Sequence, residues 1–464
     1  METQPKNYIY SVFFLVVLVV IILIGLKIAD EGIEGELFSY AKKVFSQEQE
    51  QEQFFPVVED QLFPPPGSAG GNDINTDTDI LSSDNNPLGI VRFTDYSPNA
   101  NGLHSFLGKL CNIETLNRPV RIAFFGDSFI EGDILSGDLR RLFQENMGGK
   151  GVGMMPITSQ VNGFRKTVVH QFSAWDTRSF NNCSDKSKLG IAGYEYTPNR
   201  NAWVYYQGVN KDHLDSCNRV SVFYTLENND TRIFYKKNKG TSVYAQLPKT
   251  DKVSRVDIDG SCGNIQISFP QLYGLQVYGV SLEDTAGVIL DNYSIRGFSG
   301  AGLKNLSKLS QFNDLLQYDL IILGYGLNVM EPKRTEYESY KAEMIQTINH
   351  LKSSFPNANF LLISVPDRSH KENGNYETMP GVLAMIKSQE EICEKTGIVF
   401  WNLFEAMGGR NSMPLFVDST PPKANKDYTH LTFAGGEYLG NLLYETFIHE
   451  KDVYKKRHLQ TVVK

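Results

Sequence analysis

The sequence predicts an α/β protein whose parallel sheet carries helices on both faces and is interrupted by an inserted β-sandwich. Apolar runs of strand length alternate with helix-length amphipathic segments on both sides of the middle of the chain, which is typical of a parallel sheet covered by helices. Between them, residues 163–288 contain short β-type segments separated by polar turns, which is typical of a sandwich. An apolar N-terminal run predicts one transmembrane helix ahead of these domains.

The N-terminal run covers residues 8–26 and contains no charged residue. It is just long enough to cross a bilayer core as a helix. It continues without a small-x-small cleavage site, so we expect residues 1–27 to be an uncleaved anchor, with cleavage as the open alternative. Lys6 and the α-amino group favour an N-terminus inside the cell, although Lys27 weakens this bias. The folded part is therefore expected outside the cytoplasm, on the periplasmic side of the inner membrane if the cell is Gram-negative.

Residues 28–87 are expected to form a short helix followed by a disordered tether. Apolar residues recur at helical spacing only as far as Val44. A Gln/Glu repeat at 47–53 and a Pro/Gly-rich stretch then lead into an Asp/Thr/Asn-rich run. Such a composition buries too little apolar surface to offset the entropy of ordering it. The tether would let the folded part move away from the membrane.

The charge of the chain argues against nucleic acid as a partner. The 464 residues carry a formal net charge of −8, whereas a nucleic-acid-binding surface needs a basic patch. The basic segment 451–464 is interpreted as a solvated tail rather than a binding site. The sequence indicates no oligomeric state.

The first part of the α/β domain, 88–162, contains a serine in a reactive position. The apolar strand Ile122–Phe125 ends at Gly126-Asp127-Ser128, and a helix is predicted from Ile134 to Met147, with Asp133 as its N-cap. Ser128 therefore lies at the carboxyl end of a strand, where open α/β sheets bind their ligands.

The inserted segment 163–288 holds three of the five cysteines, Cys183, Cys217 and Cys262. They could supply one disulfide in an oxidising compartment, and the odd total leaves at least one thiol unpaired. Cysteine spacing fits neither a zinc site nor a redox pair, so no metal or cofactor is expected.

The second part of the α/β domain, 289–450, returns to alternating strands and helices. Strands are predicted at 320–323, 359–365 and 397–402, and helices at 336–355, 380–396 and 432–449.

Four further positions in this second part could assist a serine nucleophile. His430 could accept the serine proton, because an imidazole has an unperturbed pKa near ~6.5. Asp427, three residues earlier, could orient that imidazole and stabilise its cation. Asn328 follows a predicted strand and could donate to an oxyanion, as could the backbone N–H of Gly297.

Taken in order, these blocks resemble the SGNH branch of the GDSL hydrolases. The resemblance covers roughly residues 115–170 and 285–450. It implies a flavodoxin-like sheet, with Ser128 as nucleophile, His430 as base and Asp427 as its orienting group. It also implies an oxyanion hole made of the Ser128 and Gly297 N–H groups and the Asn328 amide.

The domain plan is similar to that of peptidoglycan O-acetylesterases, in which a carbohydrate-module-like β-domain interrupts the SGNH domain. The resemblance therefore implies an esterase that removes O-acetyl groups from a cell-envelope glycan. Trp175 and Trp203 of the insertion would be sandwich core or platforms for sugar rings. Acetyl transfer to a sugar hydroxyl, glycan binding without turnover, and esters of plant polymers or lipids stay open as alternatives.

Overall fold

The computed structural model describes residues 90–332 and 334–462. The expected anchor, 1–27, and tether, 28–87, lie outside the described residues. In the part of the chain that is described, no helix has the length and apolar character needed to cross a membrane.

Strands and helices follow one another through the whole described region. The strands are β1 (Thr94–Asp95), β2 (Val120–Gly126), β3 (Gly153–Met155), β4 (Val168–Ser179), β5 (Tyr194–Gly208), β6 (Cys217–Leu226), β7 (Thr231–Lys237), β8 (Val243–Leu247), β9 (Thr250–Cys262), β10 (Asn264–Phe269), β11 (Leu275–Glu283), β12 (Val288–Ser294), β13 (Leu320–Gly324), β14 (Asn359–Ile363), β15 (Ser369–Glu372), β16 (Asn375–Thr378) and β17 (Val399–Trp401). The α-helices are α1 (His104–Cys111), α2 (Ser136–Met147), α3 (Leu309–Leu316), α4 (Glu338–Ser354), α5 (Pro380–Thr396), α6 (Leu403–Ala406), α7 (Ser412–Asp418) and α8 (Phe433–Val462).

Six strands form the central sheet in the order β1-β17-β14-β13-β2-β12. All its pairs are parallel except the edge pair of β1 with β17. Numbered along the chain, the five parallel strands lie in the order 2-1-3-4-5, which is the flavodoxin-like order. Every residue of β2 is buried, as expected for a parallel strand covered on both faces. Helices α1, α2 and α8 pack together in one group, and α3, α4 and α5 in another.

Two predicted helix ends are wrong. Asp133 is not the N-cap of α2; the helix begins at Ser136, and Leu135 precedes it without a side-chain cap. The Asp133 carboxylate is instead buried in ion pairs with Arg140 and Arg165, because these guanidiniums offer it stronger hydrogen bonds than free helix N–H groups do. At the other end of the chain, most of the basic tail 451–464 is helical, since α8 continues to Val462.

The insertion is one continuous antiparallel sheet of nine strands, where two separate sheets of a sandwich were predicted. Its order is β8-β7-β10-β5-β11-β6-β9, with β4 paired to β5 and β3 to β11. The long strand β5 joins the two halves, because residues 202–207 pair with β10 while Tyr196 pairs with β11. Both halves nevertheless share one hydrophobic core, which includes Val204 from one half and Val222 from the other.

The sheet also shifts the boundaries of the insertion. Gly153–Met155 pair with β11, so the β-rich part begins before the predicted residue 163. At its other end, Val288 already belongs to β12 of the central sheet. The three-residue strand β3 is too short and too rich in glycine and methionine to be predicted from sequence.

The insertion is packed against the α/β part by aromatic contacts. The rings of Phe223 on β6 and Tyr278 on β11 lie 6.0 and 5.7 Å from the ring of Phe312 on α3. All three side chains are buried. The Arg121 guanidinium of β2 adds a buried ion pair with Glu283, 2.8 Å away at the end of β11.

We expect the Arg140→Met substitution to lower the free energy of unfolding by about 3 kcal/mol or more, because the buried Asp133 carboxylate loses its main partner. Arg141→Met is the matched control, since Arg141 makes only surface pairs with Asp138 and Glu145 and should change stability by less than about 1 kcal/mol. Urea denaturation of both variants measures the difference. Equal, small losses would contradict a stabilising role for the buried pair.

Candidate active site

The candidate site forms where three neighbouring strands end at the same level. Gly126, the last residue of β2, is paired with Ser294 of β12 on one side and Gly324 of β13 on the other. Ser128, Gly297 and Asn328 follow these strand ends within a few residues. The register of the sheet therefore brings together positions that are far apart in the sequence. They lie beside the β2/β13 boundary, where ligands bind in flavodoxin-like sheets.

Ser128, His430 and Asp427 form a continuous hydrogen-bonded line. The Oγ of Ser128 lies 3.1 Å from Nε2 of His430, and Nδ1 of His430 lies 2.8 Å from Oδ2 of Asp427. These distances are within the range for a nucleophile, its base and an orienting carboxylate. All three residues are partly accessible, so a substrate can reach them.

A tight turn holds Asp427 against His430. The backbone N–H groups of Thr429 and His430 each donate to Oδ1 of Asp427, at 3.0 Å. Burial alone would raise the pKa of Asp427, but hydrogen bonds from the His430 side chain and from these two N–H groups outweigh it and lower the pKa below its usual value. Asp427 therefore stays ionised, and its charge favours a protonated imidazole at His430.

Asp127 is a buried carboxylate that anchors the nucleophile turn, a role that the sequence interpretation missed. Its Oδ1 accepts from the Phe129 N–H at 2.9 Å, and its Oδ2 accepts from the Asn328 side-chain amide at 2.8 Å. Burial raises the pKa of Asp127 to about 7, although these hydrogen bonds and the nearby His430 favour the charged form. The only sequence signal for this role was an acidic residue placed directly at the end of a buried strand.

The groups predicted to form an oxyanion hole stand at the three strand ends. Gly297 has a φ of +72°, a conformation that favours glycine. Within the described residues, neither its N–H nor that of Ser128 donates to a protein acceptor. Asn328 already uses its amide nitrogen, donating to Asp127 and, at 3.2 Å, to the carbonyl of Phe298. The longer bond to Phe298 is the one that an oxyanion could replace.

Two arginines near the site were also missed. Arg296, beside Gly297, makes an ion pair with Glu131 of the turn that follows the nucleophile. Burial lowers the pKa of Arg368, and the charge of Asp427 opposes this shift. Across the described residues, no three His, Cys, Asp or Glu side chains converge in a way that could hold a metal ion.

Comparison with solved structures supports the fold. A peptidoglycan O-acetylesterase matches at a TM-score of 0.65 and 18% identity, over 78% of this chain and 99% of that chain. At this identity the likeness is one of fold. A lipase/acylhydrolase from Enterococcus faecalis matches at a TM-score of 0.26 and 17% identity, over 34% of this chain and 75% of that one.

An acetyl xylan esterase matches at a TM-score of 0.26 and 15% identity, over 34% of this chain and 80% of that one. These two matches are too slight to support an argument. The sequence matches no protein-family model and no curated protein. The SGNH/GDSL resemblance therefore depends on the fold and on the residues at the strand ends.

The raised pKa of Asp127 predicts a pH dependence of stability. In the folded protein this pKa is about 7, above the value of 3.8 for a free side chain, so the native state holds the proton more tightly than the unfolded state. The free energy of unfolding should therefore fall as the pH rises from about 4 to about 7. Asp127→Asn cannot titrate and should lose less stability over that interval. Denaturant titrations of both proteins at pH 5 and pH 8 measure this; equal losses would contradict it.

Proposed function

We propose that this protein is a serine esterase that removes O-acetyl groups from a cell-envelope glycan, with peptidoglycan as its substrate. The observation that carries the proposal is the unbroken hydrogen-bonded line from Ser128 through His430 to Asp427 at the open edge of the parallel sheet. This line supplies a nucleophile, a base and a fixed counter-charge, which together are sufficient for acyl transfer from an ester.

The reaction would proceed in two halves. Ser128 Oγ attacks the acetyl carbonyl while His430 Nε2 takes its proton, and the N–H donors at the strand ends bind the oxyanion. The tetrahedral intermediate then expels the sugar hydroxyl, which receives that proton from His430, and acetyl remains on Ser128. In the second half, His430 takes a proton from a water molecule, which attacks the acetyl carbonyl; the bond to Ser128 Oγ then breaks, Oγ takes that proton back from His430, and acetate leaves.

The outer face of the insertion sheet supports a glycan as the substrate. One row of side chains crosses four adjacent strands of this sheet. It consists of Trp203 on β5, Ser268 on β10, Phe234 on β7 and Tyr244 on β8. At the usual spacing of strands this row is about 14 Å long. Phe234 and Tyr244 are 53% and 54% exposed and are paired with each other, and contiguous exposed apolar side chains are typical of a binding surface.

Hydrogen-bonding groups lie next to these rings. Tyr205 is paired with Gln266 on one side and Gln171 on the other, in the row adjacent to Trp203. Amide side chains can both donate to and accept from sugar hydroxyls. A row of rings beside a row that carries amides suits an extended polysaccharide better than a lipid acyl chain. Trp175 is instead packed against Phe269, with its indole N–H donating to the Trp203 carbonyl, so it is not part of this face.

We also propose that the protein is anchored to the membrane through its N-terminus and acts outside the cytoplasm. Two features of the sequence support this arrangement: the uncharged apolar run 8–26, and the segment 28–87, which is expected to form a short helix followed by a tether. An anchored enzyme on a long tether would reach glycan over several nanometres. The neighbour in fold is named a peptidoglycan O-acetylesterase, which supports the same class of substrate.

We expect Ser128→Ala to abolish acetate release from O-acetylated peptidoglycan while leaving the melting temperature nearly unchanged, since Ser128 is partly exposed. Asn328→Ala should lower kcat by roughly a hundredfold. The assay includes a chito-oligosaccharide as an acetyl acceptor, and both the released acetate and the acetylated acceptor are quantified. Acetate in excess supports the esterase; acetylated acceptor in excess would show an O-acetyltransferase. If the wild-type protein releases neither product but hydrolyses xylan or lipid esters, peptidoglycan is not the substrate, although the proposed roles of Ser128, His430 and Asp427 would still stand.

The aromatic face can be tested separately from the triad. Phe234→Ala combined with Tyr244→Ala should reduce binding to insoluble peptidoglycan and raise KM for it several-fold, while turnover of a small soluble acetyl ester stays the same. Tyr273→Ala is the control, because Tyr273 is 86% exposed but stands in the turn before β11 and belongs to neither of these rows. Glycan binding that is unchanged in the double variant, or equally reduced in the control, would contradict the role of the face.

A further inference from the structure

Two of the buried cysteines face each other across a pair of strands. Cys217, the first residue of β6, is paired in register with Cys262, the last residue of β9. Each is only 3% exposed. Directly opposed residues of antiparallel strands have Cα atoms about 4.5–5.5 Å apart, and a disulfide needs a Cα separation of about 4.4–6.8 Å. The pairing therefore places these two residues within the range of Cα separations that a disulfide spans, beside a shift of register between Cys217 and Arg219.

The two thiols lie close together at these strand ends. The Cys217 thiol donates to the backbone carbonyl of Cys262 at 3.7 Å, and the Cys262 thiol donates to the carbonyl of Asn264 at 3.4 Å. A hydrogen bond between the two thiols raises the pKa of Cys217 and lowers that of Cys262. A thiol with a lowered pKa provides more of the thiolate, which is the nucleophile of thiol–disulfide exchange.

The remaining cysteines are placed differently. Cys183 lies between β4 and β5 and donates to the carbonyl of Asp185 at 3.1 Å. Cys111 and Cys393 lie on α1 and α5 of the α/β part. Among the described residues, Cys217 and Cys262 are thus the cysteines that the sheet register places opposite each other. The sequence offered three candidates for one disulfide, and the register selects two of them.

We propose that Cys217 and Cys262 are a modification site at which the two thiols are oxidised to one cross-strand disulfide. A low-molecular-weight disulfide such as oxidised glutathione is a sufficient oxidant. The thiolate of one cysteine attacks a sulfur of the oxidant and releases one glutathione thiolate, giving a mixed disulfide. The second cysteine then displaces the other glutathione. Two protein S–H bonds are replaced by one S–S bond, and the two protons and two electrons end on two molecules of reduced glutathione.

The location explains what the bond would do. β9 is the edge strand of the nine-stranded sheet and is followed directly by the turn into β10. The chain enters the insertion next to the same point, because a side chain at Gly151 would come within 3.2 Å of Cys217 Cβ. A bond here would fasten the edge strand beside the entry of the insertion. It would also close a long loop of chain, which is where a cross-link restricts the unfolded state most.

The test starts from the full-length protein refolded in a glutathione redox buffer. Free thiols are alkylated after denaturation, and the digested protein is mapped by mass spectrometry without reduction. We expect Cys217 and Cys262 in one linked peptide pair, with Cys111, Cys183 and Cys393 alkylated. Alkylation of both Cys217 and Cys262, or a link from either of them to Cys183, would overturn the proposal. This arm needs no variant and so does not depend on how a substituted chain folds.

A second arm measures the effect on stability. Oxidised wild-type protein should melt roughly 5 °C above the same protein after reduction by dithiothreitol. Cys262→Ser should show no such difference, whereas the control Cys183→Ser should keep it. A reductant effect that persists in Cys262→Ser, or disappears in Cys183→Ser, would assign the bond to other cysteines.

Discussion

The register of three parallel strands is the constraint on which the site depends. Gly126 is hydrogen-bonded into a ladder with Ser294 on one side and Gly324 on the other, and it cannot shift along either strand without moving a fully buried row of side chains. The turns that follow these three residues therefore have fixed starting points. Ser128, the backbone N–H of Gly297 and the side-chain amide of Asn328 reach the same edge of the sheet although about two hundred residues separate the first from the last.

The insertion is held to this sheet by charge as well as by apolar contact. Arg121 lies on β2, the nucleophile strand, and pairs with Glu283 at the end of the insertion's last strand. Arg165, between β3 and β4 of the insertion, pairs with Asp133 of the turn that follows Ser128. Movement of the insertion would break both of these ion pairs, and among the described residues Arg121 would keep only Asp291 and Asp133 only Arg140 as ion-pair partners. The proposed glycan-binding face is therefore carried on a rigid support connected to both sides of the nucleophile turn.

Much of the fold could be predicted from the sequence, because the strands of a parallel sheet are continuous apolar runs and its helices are amphipathic. The predicted helix 380–396 has the bounds of α5. The positions of Ser128, Asp427 and His430 were indicated by their places beside such elements, and the structure joins them by hydrogen bonds.

What could not be predicted depends on long-range partners. Asp133 was interpreted as a helix cap, since its ion pair with Arg165 is invisible to local patterns. The acceptor role of Asp127 depends on Asn328, which lies on another strand end. The insertion was predicted as a sandwich because turn spacing indicates strands but does not show that β5 belongs to both halves of one sheet. Pairing of the cysteines likewise required the register of β6 and β9.

The measurement that tests the central claim most directly is the site of covalent acylation. The protein is incubated with a fluorophosphonate that reacts with activated serines, and the labelled residue is located by peptide mass spectrometry. We predict a single label on Ser128 that abolishes ester turnover, and little labelling of the His430→Ala variant because its serine has lost its base. A label on another residue that accompanies loss of activity, or turnover that continues in protein fully labelled at Ser128, would contradict the triad.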